Sequence, residues 1–236
     1  MAERYLPRLH MAVLMALGAR AGLYHQSSDY PRAIELMRES LARTREARAA
    51  TDPLVEATLY SLAAIEQDAG QDAAALAHYR EAWQLNQERA PGANPRALRT
   101  LGSIASMEAR MGQDTAAIET IDRALSMARE LRLDGGPDYA RSLDTKAALL
   151  RRQGELEQAL KLHAEAAALL AVGRHPPLRL IRHHLGHAES LAAAGQTDAA
   201  LAQIAKAEVL VGGEHPDPAA QATVAEVRRK IEAAAR

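Results

Sequence analysis

Histidines in the segment RHHLGH have a spacing that could support metal chemistry. His183 and His187 lie four positions apart, so on a helix both imidazoles would share one face and could chelate zinc if further ligands converged. His184 and Glu189 would point to other sides of that helix. Because this ligand set is incomplete and the chain has no His-Glu-x-x-His motif, we predict that the protein binds no metal. His183 and His187 are weak candidates for metal ligands.

Arginines form a second set with regular spacing. Arg99, Arg141 and Arg182 follow one another at nearly equal intervals, and guanidinium groups bind carboxylates or phosphates through paired hydrogen bonds. The whole chain carries 29 basic and 30 acidic residues, so no general positive field favours nucleic acid or a membrane surface as partner. Arginine supplies 25 of the 29 basic residues, so an ordinary solvated helix face is the alternative interpretation.

Patterns typical of enzymes are missing from the sequence. It contains no cysteine, no Gly-rich phosphate loop and no nucleophile elbow, so neither a thiolate nor a motif-based catalytic site is predicted. We therefore expect no enzyme activity and no cofactor.

The apolar segment 11–17 follows Arg4 and Arg8 and resembles a secretory signal peptide only weakly. Glu3 and Pro7 interrupt its basic region, and no clean small-residue cleavage site follows. No apolar run has the roughly 18–20 residues needed to cross a bilayer. A cytoplasmic location is expected, with the periplasm less favoured.

One period of roughly 42 residues organises the whole chain, and a period of this length is typical of stacked repeats. The glycines Gly70, Gly112, Gly154 and Gly195 follow it. Prolines keep the same period, at Pro53, Pro95, Pro137, Pro177 and Pro218. Because proline suits a helix start and glycine the break after a helix, each period predicts a helix, a tight turn, a second helix and a looser loop.

These signals predict the helix boundaries. The first helices are expected at 53–69, 95–111, 137–153 and 177–194, and the second helices just after Asp72, Asp114, Glu155 and Asp198, the aspartates serving as helix caps. Counting back one period from Gly70 reaches Ser28, so a weaker first copy precedes the others. The predicted fold is all-α, with repeats at about 8–50, 53–92, 95–134, 137–174 and 177–213, and a capping helix at 217–235.

Several of these residues resemble the tetratricopeptide repeat. They are the turn glycine, the step from Ala75 to Tyr79 and the pair Leu62-Ala63, and the loops GANP, GRHP and GEHP resemble those of its longer variety, found in kinesin light chains and many bacterial regulatory proteins. The chain departs from the family where an aromatic residue would precede the turn glycine, because this place holds Glu66, Glu108, Leu150 and Leu191.

The resemblance implies a right-handed α-solenoid in which the first helices line a concave groove. Residues of this sequence at the family's groove positions include Tyr60, Gln67, Arg99, Arg110, Arg141, Arg151, Arg152 and Arg182. The acids Asp144 and Glu189 also fall there and could pair with some of these arginines. Arg99, Arg141 and Arg182 take the same place in three successive repeats, forming a ladder that suits an acidic ligand.

The expected function is a non-catalytic scaffold that holds a protein or peptide with an acidic segment in this groove. The alternative is a ligand- or peptide-sensing regulatory module of a bacterial kinase or transcription regulator. Self-association through an exposed edge helix is compatible with both functions.

Overall fold

The computed structural model describes residues 2–49, 51–212 and 217–235. Across these residues the chain forms eleven α-helices and no strand. Five pairs and a final helix follow in order: α1 Ala2–Gln26, α2 Tyr30–Ala47, α3 Pro53–Asp68, α4 Asp72–Arg89, α5 Pro95–Arg110, α6 Asp114–Glu130, α7 Pro137–Arg152, α8 Leu156–Leu170, α9 Pro177–Ala193, α10 Thr197–Val211 and α11 Pro218–Ala234. The helices α3, α5, α7 and α9 begin at the predicted prolines and end one residue before their predicted ends.

The tight turns inside the helix pairs share one backbone conformation. The glycines predicted there have positive φ, from 72° at Gly112 to 84° at Gly154, a region that a side chain disfavours. The N–H of the residue after each glycine donates back into the helix, as from Gln71 to the Glu66 carbonyl at 2.8 Å, which closes the helix end. Ser28 has φ 60° and stands in the same turn of the first pair, as the repeat count predicts.

The predicted capping role of Asp72 and Asp198 is wrong. The capping positions of α4 and α10 are occupied by Gln71 and Gln196, whose side chains accept no capping hydrogen bond. The turn is shorter than expected, so both aspartates fall inside the first helical turn, where a negative charge favours the helix dipole. Side-chain caps instead begin α2, which follows the Ser28 turn, and three helices that follow looser connections, with Asp29, Asp52, Asn94 and Asp217 accepting from backbone N–H groups.

The helices group into two compact units, Met1–Thr120 (unit 1) and Ile121–Arg236 (unit 2). In unit 1, α1 packs on α2, α2 on α3, α3 on α4 and α4 on α5. In unit 2, α9 lies at the centre and contacts α7, α8, α10 and α11. The alanines that recur in the second helix of each pair are fully buried, at Ala33, Ala75, Ala117, Ala159 and Ala200, because a small side chain lets two helices approach closely.

The predicted capping helix is confirmed as α11. Its inner face buries Ala220, Val224, Val227 and Ile231 against the core made with α9 and α10. Within the ranges that the structure covers, no helix has both the length and the apolar character required to span a lipid bilayer.

Candidate functional site

In unit 1, the predicted groove residues Tyr60 and Arg99 lie in contact. The Arg99 guanidinium carbon is 4.6 Å from the centre of the Tyr60 ring, a cation–π geometry. The Tyr60 hydroxyl is 3.1 Å from Ser103 Oγ, so the ring that supports Arg99 is itself tied to α5. Arg99 is exposed, so its guanidinium is held by the Tyr60 ring while it faces solvent.

Gln67 joins the same cluster through Tyr79. The Tyr79 hydroxyl donates to Gln67 Oε1 at 3.2 Å, and the Tyr60 and Tyr79 rings meet edge to face at 5.1 Å. Burial raises the pKa of Tyr79 to about 12, so its hydroxyl keeps its proton and remains a donor. The structure thus brings Tyr60, Gln67 and Arg99 into one patch of α3 and α5 supported by α4.

In unit 2, Arg141 and Arg182 extend from α7 and α9, which pack against each other. Both arginines are exposed. Arg141 lies 3.5 Å from Asp138, and both side chains are more than half exposed, so water and salt weaken this pair. Among the residues that the structure describes, no carboxylate lies within ion-pair distance of Arg182.

Two other predicted groove arginines are neutralised by acids of other helices. Arg110 Nη2 is 2.9 Å from Asp72 Oδ1, and its Nε also bonds that carboxylate at 3.3 Å. Arg151 Nη2 is 2.8 Å from Glu189 Oε2, a pairing that the sequence analysis left open. Arg152 is exposed at the end of α7.

The glutamates that replace the expected aromatic residue are buried in unit 1. Glu66 is 0% exposed and Glu108 is 3% exposed. Arg38 Nη2 lies 3.1 Å from Glu66 Oε1, and Arg80 Nη2 lies 2.8 Å from Glu108 Oε1. Each arginine belongs to the preceding repeat and stands 28 residues before its glutamate. That constant spacing is the sequence signal that could have revealed both pairs.

A second polar partner comes from the following helix in both cases. His78 Nδ1 lies 2.6 Å from Glu66 Oε2, and Thr120 donates to Glu108 Oε2 at 2.8 Å. Both carboxylate oxygens of each glutamate therefore have partners, which a buried carboxylate requires.

Unit 2 contains a buried cluster that the sequence analysis did not assemble. Asp144 Oδ1 of α7 lies 2.9 Å from His163 Nδ1 of α8 and 2.8 Å from His183 Nδ1 of α9. The His187 ring stacks on His163 with centres 5.1 Å apart. Asp144 and His163 were not recognised as partners of the predicted pair His183 and His187 because the three contributing helices are distant in sequence.

The charges of this cluster are set by burial and by the histidines. Burial raises the pKa of Asp144, but hydrogen bonds from His163 and His183 outweigh it and leave that pKa below its usual value. Burial, followed by the neighbouring histidines, lowers the pKa of His187 to about 4. The other two neighbours turn away as predicted, since His184 bonds Gln203 at 2.9 Å and Glu189 pairs with Arg151.

The same cluster has the distances of a Ser-His-Asp triad. His163 Nε2 lies 3.0 Å from Ser190 Oγ, on the opposite side of the ring from Asp144. Ser190, however, is 0% exposed, and its hydroxyl donates to the Gly186 carbonyl at 3.1 Å. A substrate carbonyl would have no access to this oxygen, so the arrangement does not support acyl transfer.

Comparisons with known proteins agree with this architecture. The tetratricopeptide repeat family model matches residues 12–88 and 96–171. A sequence search of curated proteins finds no match. Solved structures of other proteins are similar to this chain at low sequence identity, and this similarity concerns the fold alone.

Three of these structures illustrate the similarity. BtubC (BKLC) from P. vanneervenii has 20% identity and a TM-score of 0.75, with 90% of this chain and 86% of that chain covered. A putative kinesin light chain from Podosopora anserina, with nearly identical TPR-like repeats, has 18% identity and a TM-score of 0.69 over 84% and 94% of the two chains. A Rap protein complexed with Competence and Sporulation Factor has 13% identity and a TM-score of 0.68, over 85% of this chain and 54% of that chain.

The helix pairs and these similarities define an all-α solenoid of the repeat-protein class. Because the family model covers more than half of the sequence, the chain belongs to the tetratricopeptide-repeat family. It is a protein-interaction scaffold, built from a long-period form of the repeat that resembles that of kinesin light chains.

Proposed function

We propose that this scaffold is non-catalytic and binds an acidic segment of a partner protein along the first helices of its repeats. The observation that carries the proposal is the state of Arg99, Arg141 and Arg182, which hold equivalent repeat positions. All three reach solvent, and none is bound by a buried carboxylate. By contrast, Arg110 and Arg151 on the same helices are engaged by Asp72 and Glu189.

In unit 1 the binding patch is Arg99 with Tyr60 and Gln67. The contact at 4.6 Å with the Tyr60 ring restricts the Arg99 side chain before any ligand arrives, which lowers the entropy lost on binding. The guanidinium N–H groups that do not face the Tyr60 ring can still bind a carboxylate in a bidentate manner.

In unit 2 the binding patch is Arg141 and Arg182. Within the described ranges, the acid that pairs with this patch is Asp138, whose side chain is 71% exposed, so an incoming carboxylate can displace it at small cost. Arg110 and Arg151 hold α5 to α4 and α7 to α9 through their ion pairs, and we assign them a supporting role. Arg152 completes the basic surface at the end of α7.

The test is a comparison of two triple variants with the same change of net charge. The first carries Arg99→Glu, Arg141→Glu and Arg182→Glu. The control carries Arg123→Glu, Arg174→Glu and Arg229→Glu, three exposed arginines outside the first helices. Each chain is used as bait in a lysate of the source organism, and its affinity for a fluorescein-labelled oligoglutamate peptide is measured by anisotropy.

We expect the first variant to lose the captured partner and to bind the peptide at least tenfold more weakly, with circular dichroism unchanged. The control variant should retain both properties apart from a small electrostatic loss. Equal losses in the two variants would mean that only net charge matters and would refute the assigned patches. Retention of the partner by the first variant would move the binding surface away from the first helices.

A further inference from the structure

The geometry of the buried cluster in unit 2 points to a metal site. We propose that Asp144, His163 and His183 bind one divalent transition-metal ion of the zinc class. This inference is independent of the scaffold function, since it concerns what stabilises α7, α8 and α9 rather than what the exposed arginines bind.

The ligand atoms already converge from three helices. One ligand atom each of Asp144, His163 and His183 lies within 4.8 Å of the other two. The separations between the carboxylate oxygens and the two Nδ1 atoms are 2.8–3.1 Å. Ligand atoms around a tetrahedral zinc lie roughly 3.3 Å apart when each bond is about 2.0–2.1 Å, so shifts of a few tenths of an ångström would bring the carboxylate–imidazole separations to that value.

The contacts of Ser190 allow the Nδ1 atom of His163 to act as a metal ligand. Ser190 Oγ lies 3.1 Å from the Gly186 carbonyl, to which its hydroxyl can donate, and 3.0 Å from His163 Nε2, which can then donate to Ser190 Oγ. A neutral His163 then presents a bare lone pair on Nδ1 to the Asp144 carboxylate at 2.9 Å. Two acceptors at this distance repel each other unless a proton or a metal ion lies between them.

Two further ring nitrogens indicate an incomplete site. His183 Nε2 and His187 Nδ1 are buried and have no hydrogen-bond partner within the described part of the chain. A buried polar atom without a partner is costly and calls for an explanation. Asp144 contacts His163 and His183 through their Nδ1 atoms, so it satisfies neither His183 Nε2 nor His187 Nδ1.

The donor set selects the class of ion. Two imidazoles and one carboxylate suit Zn²⁺ and its neighbours among the transition metals, whereas Ca²⁺ and Mg²⁺ prefer oxygen ligands. Ser190 fixes the distal nitrogen of His163 in the way that outer partners orient metal-bound histidines. The histidines are 0% and 2% exposed but the Asp144 side chain is 21% exposed, which leaves an entry path and a position for water.

The experiment measures metal binding directly on the full chain without an affinity tag. After removal of metals with EDTA, the chain is titrated with Zn²⁺ by isothermal calorimetry and with Co²⁺ by visible absorption. The variants Asp144→Asn and His183→Gln remove ligands, and Ser190→Ala removes the partner of His163. His184→Gln is the matched control, because this histidine is adjacent to His183 but bonds Gln203.

We expect one equivalent of Zn²⁺ to bind and the Co²⁺ spectrum to show d–d bands of low symmetry. Asp144→Asn and His183→Gln should weaken binding at least 100-fold, and Ser190→Ala about 10–100-fold, while His184→Gln changes neither. Zn²⁺ should also raise the melting temperature of the natural chain but not that of Asp144→Asn. Circular dichroism checks that each variant is folded.

The proposal is overturned if the natural chain binds neither ion with defined stoichiometry. It is equally overturned if Asp144→Asn binds Zn²⁺ as tightly as the natural chain, since this substitution keeps the size of the side chain and removes only its charged oxygen. Loss of binding in His184→Gln alone would assign the ion to another surface.

Discussion

Four positions before the turn glycine, unit 1 buries a glutamate and unit 2 buries a leucine. Glu66 and Glu108 are 0% and 3% exposed, and Leu150 and Leu191 are both 7% exposed. The backbone around them is the same, because each residue accepts the hydrogen bond that closes its helix end. The repeat therefore tolerates a charged or an apolar side chain at one position.

What differs between the units is the residue that the preceding repeat supplies. In unit 1, Arg38 and Arg80 stand 28 residues before the buried glutamates. In unit 2 the residue at the same offset before Leu150 is Asp122. A buried carboxylate is stable only with a compensating charge and hydrogen bonds. Replacing the leucine by glutamate without also supplying the arginine should therefore destabilise the repeat.

The largest expected effect comes from placing the unit 1 residue in unit 2. Leu150→Glu would bury a carboxylate where the equivalent of the arginine is Asp122. We expect the free energy of unfolding to fall by about 3–5 kcal/mol, measured by urea denaturation followed by circular dichroism.

Two further variants complete this test. Leu150→Met should cost less than about 1.5 kcal/mol, and adding Asp122→Arg to Leu150→Glu should recover part of the loss. If Leu150→Glu and Leu150→Met unfold at the same urea concentration, the position does not discriminate charge as we infer.

Removing the arginine that pairs with a buried glutamate of unit 1 should have a smaller effect. Arg80→Met removes the countercharge of Glu108, and because the Arg80 side chain is 54% exposed, water can replace part of it. We expect a loss of about 2 kcal/mol, below the range for a fully buried pair. Combining it with Glu108→Leu should return stability to within about 1 kcal/mol of the natural chain, which a double-mutant cycle would measure. A double variant less stable than Arg80→Met alone would contradict this account.

The turns should respond alike in both units, because their backbone is shared. Gly112→Ala in unit 1 and Gly154→Ala in unit 2 each place a Cβ at positive φ, and each should cost about 1–2 kcal/mol. Ser28→Gly should gain up to about 1 kcal/mol, since Ser28 already has φ 60°. Thermal melting of the three variants tests this, and unequal costs for the two alanine variants would show that the units differ in more than side chains.

The smallest effect is expected at an ion pair on the surface of unit 2. The hydrogen bond from Lys161, at 2.7 Å, lowers the pKa of Glu157 below its usual value. Such a carboxylate adds stability above its ordinary pKa, and this is lost as pH falls through the folded-state pKa.

Lys161→Met should therefore raise the pKa of Glu157, as followed by NMR titration of its carboxyl carbon. The unfolding transition at neutral pH should not move measurably, because both side chains are exposed and screened. A clear loss of stability in Lys161→Met would mean that this exposed pair stabilises the fold as the buried pairs of unit 1 do.

The helix boundaries were predictable from the sequence because proline and glycine restrict the backbone locally. The first helices begin at the predicted prolines, and the predicted turn glycines adopt positive φ. The cap prediction failed at Asp72 and Asp198 because it depends on the length of a turn to within one residue, which propensity does not determine.

The candidate sites were predictable only in part. The repeat register predicts that Arg99 and Tyr60 lie on one face. It does not predict which arginines are neutralised, because the acids involved belong to other helices that are distant in sequence, as in Arg110 with Asp72. The buried cluster needs Asp144 and His163 from two other helices, and no local motif links them to His183. Contacts of this kind follow from packing between helices rather than from spacing within one.

The pairing in unit 1 has a direction, and this constrains how the gene could have grown by duplication. Each buried glutamate is neutralised by the repeat before it, so a second copy of residues 53–94 inserted after position 94 would find both its Arg80 and its Glu66 matched by its neighbours. Removal of the first repeat would instead leave Glu66 without Arg38. Repeats of unit 1 can therefore be copied in tandem, but they cannot stand first in a shortened array. A leucine-bearing repeat of unit 2 carries no such order and could stand first, whereas a glutamate-bearing repeat needs an arginine supplied before it.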